Sequence, residues 1–109
     1  MSNWTVIDND GNTVNAGIAA LFPNAWTINN DLQGTGAIDS VASSTSWYTP
    51  GDTADDYLIT PAINLTTNNL LEFQIRGRDA AFLDRYELYI STTTPTIAGL
   101  QANTPLVVD

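Results

Sequence analysis

Leu70-Leu71-Glu72-Phe73-Gln74-Ile75-Arg76-Gly77-Arg78 alternates in character over its middle residues. Leu71, Phe73 and Ile75 fall on one side, and Glu72, Gln74 and Arg76 on the other. A period of two is that of an extended strand, and one apolar side with one polar side suits an antiparallel sheet with one wet face. Residues 85–92 repeat the pattern, with Tyr86, Leu88 and Ile90 inward and Arg85, Glu87 and Ser91 outward. Tyr89 on the outward side is the exception. The connection over residues 77–84 is too long for a tight hairpin. Working outward, Trp4-Thr5-Val6-Ile7, Ala25-Trp26-Thr27-Ile28, Asp56-Tyr57-Leu58-Ile59 and Leu106-Val107-Val108 also read as short strands. Clusters of Asn, Asp, Gly, Pro and Thr separate them. Residues 62–65 continue the fourth strand beyond Pro61. The best helical stretch, residues 16–22, is stopped by Pro23. The pattern predicts an all-β, antiparallel sandwich in one domain over residues 1–109.

Composition narrows the function. At 109 residues the chain makes one domain, and 43% hydrophobic residues suffice for a modest core. Charged residues are 14%, well below the usual quarter, and polarity is carried by 15 Thr and 11 Asn. Three Arg and no Lys stand against twelve acids, for a net charge of −9 and a pI of 4.1. Such a chain does not neutralise a run of phosphates, so neither nucleic acid nor an anionic membrane surface is an expected partner. No apolar run is long enough to insert in a membrane. With no His and no Cys, triads that use them, Cys/His zinc sites and disulfides are excluded. Carboxylate chemistry remains: acid–base pairs, or oxygen-ligated metals such as Ca²⁺. The opening residues Met1-Ser2-Asn3-Trp4 carry no basic n-region or apolar h-region. The expectation is a chain not secreted by a signal peptide of its own, or an internal piece of a longer one.

Asp8-Asn9-Asp10-Gly11-Asn12 places four side-chain oxygen donors within five residues. Asp8, Asp10 and Asn12 are candidate Ca²⁺ ligands. The spacing is not that of an EF-hand, since Gly11 falls at loop position four and Ala19 at position twelve. The same residues are also the best formers of a plain turn. Asp55 and Asp56, in a second acidic cluster, are further candidate ligands or solvated strand-end residues. Arg76, Arg78 and Arg85 lie near Asp79, Asp84 and Glu87 and are expected to form cross-strand ion pairs. Of the aromatic residues, Trp4 and Tyr57 are expected in the core. Trp47 and Tyr48, beside the Pro50-Gly51 turn, are expected at the surface as a ligand-binding pair.

Several segments together resemble the cleaved-adhesin, or choice-of-anchor J, domains. These are jelly-roll modules of bacterial surface and secreted proteins, including the adhesin regions of gingipains. Residues 4–12 are similar to the family's Trp-led opening with its DxDG turn, and residues 42–47 to its A.S.SW strand. Asp56-Tyr57-Leu58-Ile59-Thr60-Pro61-Ala62-Ile63-Asn64-Leu65 is similar to its DWLITPAIDL signature, with Tyr57 in place of the usual Trp. Leu71-Glu72-Phe73 resembles the family's L.F segment, and residues 79–93 resemble its YEVYVST segment. The resemblance implies a jelly-roll-like sandwich and structural Ca²⁺. It also implies an extracellular or cell-surface location and a non-enzymatic adhesion module that recognises protein or glycan. A two-carboxylate glycosidase is the minor enzymatic alternative. The family's first strand and its later half have no counterpart here. The sandwich is therefore expected to be incomplete within this chain, with the chain either a fragment or completed in trans. The second case makes the protein a structural subunit of an extracellular filament, or a spacer, completed by strands of neighbouring chains.

Overall fold

A computed structural model describes residues 3–23, 25–30 and 40–108. Among these the regular structure is almost wholly strand. β1 (Thr5–Asp8) pairs antiparallel with β4 (Asp56–Ile59), and β2 (Thr27–Asn30) with β3 (Ser40–Ser43). β5 (Glu87–Leu88) pairs with β6 (Val107–Val108), also antiparallel. One short helix, α1 (Ile97–Gln101), stands between them. The fold is all-β, as the sequence predicts. The chain forms two compact units, Met1–Ile75 and Arg76–Asp109.

In the first unit the β1–β4 ladder sets Thr5 opposite Ile59 and ends with Asp8 opposite Asp56. Beside it lies a small core of Val14, Phe22 and Tyr48, with Ile18 packed against them and Ala25 also buried. Val14 and Tyr48 form an isolated antiparallel bridge. It is flanked by the Asn15 amide donating to the Trp47 carbonyl at 2.8 Å and the Thr49 amide donating to the Thr13 carbonyl at 2.9 Å. Residues 16–21 make hydrogen-bonded turns rather than a helix. The Asn15 side chain accepts from the Gly17 amide at 2.8 Å and so starts the first turn. Pro23 ends the run, as the sequence predicts.

In the second unit Thr96 caps α1, its hydroxyl accepting from the Gly99 amide at 3.1 Å. This satisfies one of the amides a helix start leaves free. Leu100 is the buried residue of this helix.

The structure corrects four expectations. Residues 70–78 are not a strand, and Leu71, Phe73 and Ile75 are exposed rather than inward. A strand is a pairing, and no described residue hydrogen-bonds to this backbone, so the alternation has nothing to zip against. The 85–92 strand shortens to β5, with Ile90 exposed. Trp4, expected in the core, is 43% exposed. It precedes the first residue of β1, where among the described residues only β4 offers a neighbouring strand. The arginines stand exposed, while Asp79 and Glu87 accept from the Ala81 amide and the Tyr89 hydroxyl.

The core is small, so its members should count heavily. Phe22→Ala is expected to lower the unfolding free energy by about 3 kcal/mol or more. Phe82→Ala, at a position 79% exposed, should change it by less than about 0.5 kcal/mol. Denaturant melts of the two variants compare them directly.

Candidate metal centre

The β1–β4 register brings two carboxylates face to face. Asp8 closes β1, Asp56 opens β4, and they are partners in the ladder. Like charges directly opposed across a ladder are destabilising. The chain then adds a third. Asp8, Asp10 and Asp56 each place a carboxylate oxygen within 4.8 Å of the other two.

Local turn chemistry fixes the first two. The Asp8 side chain accepts from the Gly11 amide at 2.7 Å, and Asp10 accepts from the Asn12 amide at 2.7 Å. Gly11 has φ +63°, the left-handed region that favours glycine. That conformation lets the chain turn back so that its amide meets Asp8. The other Asp10 oxygen accepts from the Asp55 amide at 2.7 Å, tying the loop to the start of β4. Asn9 completes the tie, its amide donating to the Asp55 carbonyl at 3.2 Å and its side chain to the Asp55 carboxylate at 2.5 Å.

Asp56 is held differently. One of its oxygens accepts from the Tyr48 hydroxyl at 3.0 Å. The other, Oδ1, is buried and has no hydrogen-bond partner among the described residues. Burial pushes the Asp56 carboxyl up to about 6; the Tyr48 hydrogen bond opposes the rise, and the charges of Asp10, Asp8 and Asp55 add to it. Burial also pushes the Tyr48 phenol well above its ordinary value, with the carboxylates adding to the effect. Tyr48 is therefore a neutral donor at pH 7. The indole of Trp26 donates to the Asp56 carbonyl at 3.4 Å.

The site's chemistry fits a hard divalent cation. Calcium takes oxygen ligands at about 2.3–2.6 Å, so oxygens sharing one ion lie up to about 5 Å apart. Three carboxylate oxygens within 4.8 Å meet that condition. The unpaired Asp56 Oδ1 is the firmer observation, because a buried acceptor without a donor costs free energy unless something binds it.

The candidate ligands from the sequence divide accordingly. Asp8, Asp10 and Asp56 come together. Asn12 braces the loop, its side-chain amide donating to the Thr53 carbonyl at 3.2 Å. The Asp55 carboxylate faces Asn9, outside the group of three. Trp47 is exposed, as expected, but Tyr48 is not: it is 6% exposed and belongs to the core. Adjacent residues of an extended chain face opposite ways, so Trp47 outward puts Tyr48 inward. The structure thus replaces the expected surface pair by one exposed indole and one buried phenol that positions Asp56.

The profile of the Cleaved Adhesin Domain family matches residues 1–103. The chain belongs to that family. No curated protein and no solved structure matches it. As a cleaved-adhesin domain the protein is an adhesion-related module. No helix among its described residues is long and apolar enough to cross a membrane.

The raised Asp56 carboxyl fixes the sign of a pH dependence. Its folded pKa, about 6, lies above the ordinary 3.8, so without a cation the fold favours its protonated form. That contribution is complete below 3.8 and is lost as pH rises through about 6. In calcium-free buffer the melting temperature should fall across this window, and Asp56→Asn should flatten the fall. Equal slopes for both proteins would remove Asp56 as the cause.

Proposed function

We propose that this cleaved-adhesin domain is an extracellular binding module, not an enzyme, of a bacterial surface or secreted protein. In this reading a structural Ca²⁺ at Asp8, Asp10 and Asp56 fixes the loops that present Trp47 to a protein or glycan partner. The observation that carries the reading is the path from site to surface. Asp56 holds the Tyr48 hydroxyl, Tyr48 is bridged to Val14, and the next residue back, Trp47, is 57% exposed. The Trp47 ring lies beside the 16–21 turn, its edge 4.0 Å from where a Gly17 Cβ would stand. An indole with an open face suits the apolar face of a sugar ring or an apolar side chain of a protein. Calcium would neutralise the opposed carboxylates and satisfy Asp56 Oδ1, stiffening the Tyr48 anchor.

Two measurements test this. Asp10→Asn should lower the melting temperature in calcium buffer by more than in chelator, because a ligand stabilises only the state that binds it. An equal loss in both buffers would show that Asp10 serves the turn alone. Binding of the 109-residue chain to a glycan array and to immobilised extracellular-matrix proteins should depend on calcium. Trp47→Ala should abolish it without moving the melting temperature. Binding indifferent to both calcium and Trp47 would defeat the reading.

A second reading has its own observation. Leu71, Phe73 and Ile75 are 61%, 52% and 53% exposed, which favours a module whose sheet is completed by a strand from a neighbouring chain, as in a fibre subunit or spacer.

A further inference from the structure

We propose that Asn9 and Asp55 form the positioning pair of the cation site: they lie outside its ligand group, and they lock the 8–12 loop onto the start of β4 so that Asp8 and Asp10 stand at Asp56. The inference rests on the calcium reading above and assigns part of the site's affinity to two residues that do not touch the ion. Asp55, a candidate ligand from the sequence, thereby takes a different role.

The β1–β4 ladder ends with Asp8 opposite Asp56, where like charges work against the pairing. The two segments nonetheless stay together one rung further. The Asn9 amide donates to the Asp55 carbonyl at 3.2 Å, and the Asn9 side chain donates to the Asp55 carboxylate at 2.5 Å. Asn9 is the one neutral side chain in Asp8-Asn9-Asp10, so it bonds a carboxylate without adding a charge to the cluster. A hydrogen bond to an ionised acceptor is roughly twice as strong as one between neutral groups. This bond reaches a ligand through the Asp55 backbone. The Asp55 amide donates to one Asp10 oxygen at 2.7 Å, and the Asn12 amide donates to the other at 2.7 Å. Holding Asp55 in place therefore holds the Asp10 carboxylate. Beyond it, the Asn12 side chain donates to the Thr53 carbonyl at 3.2 Å. These bonds join residues 41 to 46 positions apart. None of them uses the buried Asp56 Oδ1, which has no partner among the described residues. They build the shape of the site and leave its open acceptor free. Ligands held in place beforehand lose less freedom on binding, so the pair favours the ion by ordering Asp10 against repulsion from Asp8 and Asp56.

Calorimetric titration of Ca²⁺ into the 109-residue chain at pH 7 reads the affinity, and melting in chelator checks the fold of each variant. At a temperature where all are folded, Asn9→Ala and Asp55→Ala should each weaken Ca²⁺ binding roughly tenfold. The double variant should bind about as weakly as Asp55→Ala alone, because the two side chains act through one bond. Asp55→Asn keeps an acceptor oxygen for Asn9 and should stay within about threefold of the unmodified chain. Amide exchange gives a second reading that needs no cation: the Asp55 amide should exchange faster in Asn9→Ala. Affinity and Asp55 exchange both unchanged in Asn9→Ala would overturn the positioning role and leave the calcium reading standing. Asp55→Asn binding as weakly as Asp55→Ala would also overturn it, by making Asp55 a ligand. No Ca²⁺ binding by the unmodified chain would overturn both.

Discussion

The opposition of Asp8 and Asp56 across the β1–β4 ladder governs the first unit. Two carboxylates at the same rung repel each other, and Asp10 brings a third oxygen to the same place. Only three positive side chains exist in the whole protein, all at positions 76–85, far along the sequence from this cluster. The chain instead meets the charge with dipoles. Amides of Gly11, Asn12 and Asp55 point at Asp8 and Asp10, and a phenol points at Asp56. These donors orient the carboxylates without neutralising them, and they leave Asp56 Oδ1 without a partner among the described residues. The turn and metal readings of residues 8–12 are thus compatible. The turn builds the arrangement, and a cation is what the arrangement suits.

The same interaction links the site to the core. Tyr48 buries its ring against Val14 and Phe22 and spends its hydroxyl on Asp56. Among the described residues this core has three principal side chains, with Ile18 packed against them. The backbone bridge at Val14–Tyr48 and its two flanking hydrogen bonds carry the 13–15 stretch alongside 47–49. Anything that relieves the charge at Asp56 therefore acts on the packing of Tyr48, and through it on the chain that displays Trp47.

Much of this was legible from residue order. β1, β4 and β6 lie where short apolar runs are bounded by turn formers, because Pro61 and the Asp-Asn-Gly cluster stop pairing by local chemistry. The Asp8 and Asp10 candidates were readable for the same reason. What failed to show was non-local. The joining of Asp56 to Asp8 depends on a register across more than forty residues, which no local pattern encodes. Residues 70–78 have a strand's alternation and exposed apolar side chains, because alternation records a face and not a partner. Two further features carry a local signal. Alternation at Trp47-Tyr48 implies one residue out and one in. Thr96 before Ile97 and Leu100, three apart, is the signature of a capped helical turn.

The claim that Asp8, Asp10 and Asp56 bind a calcium ion has a direct optical test, because Trp26 hydrogen-bonds to the Asp56 backbone. Terbium takes calcium's oxygen ligands and emits when a nearby indole is excited. Titrating Tb³⁺ into the protein at pH 7 while exciting tryptophan should give saturable emission that Ca²⁺ displaces. Asp56→Asn should abolish that emission, and Trp26→Phe should dim it without preventing binding. Emission that never saturates, resists Ca²⁺ or persists unchanged in Asp56→Asn would contradict the account.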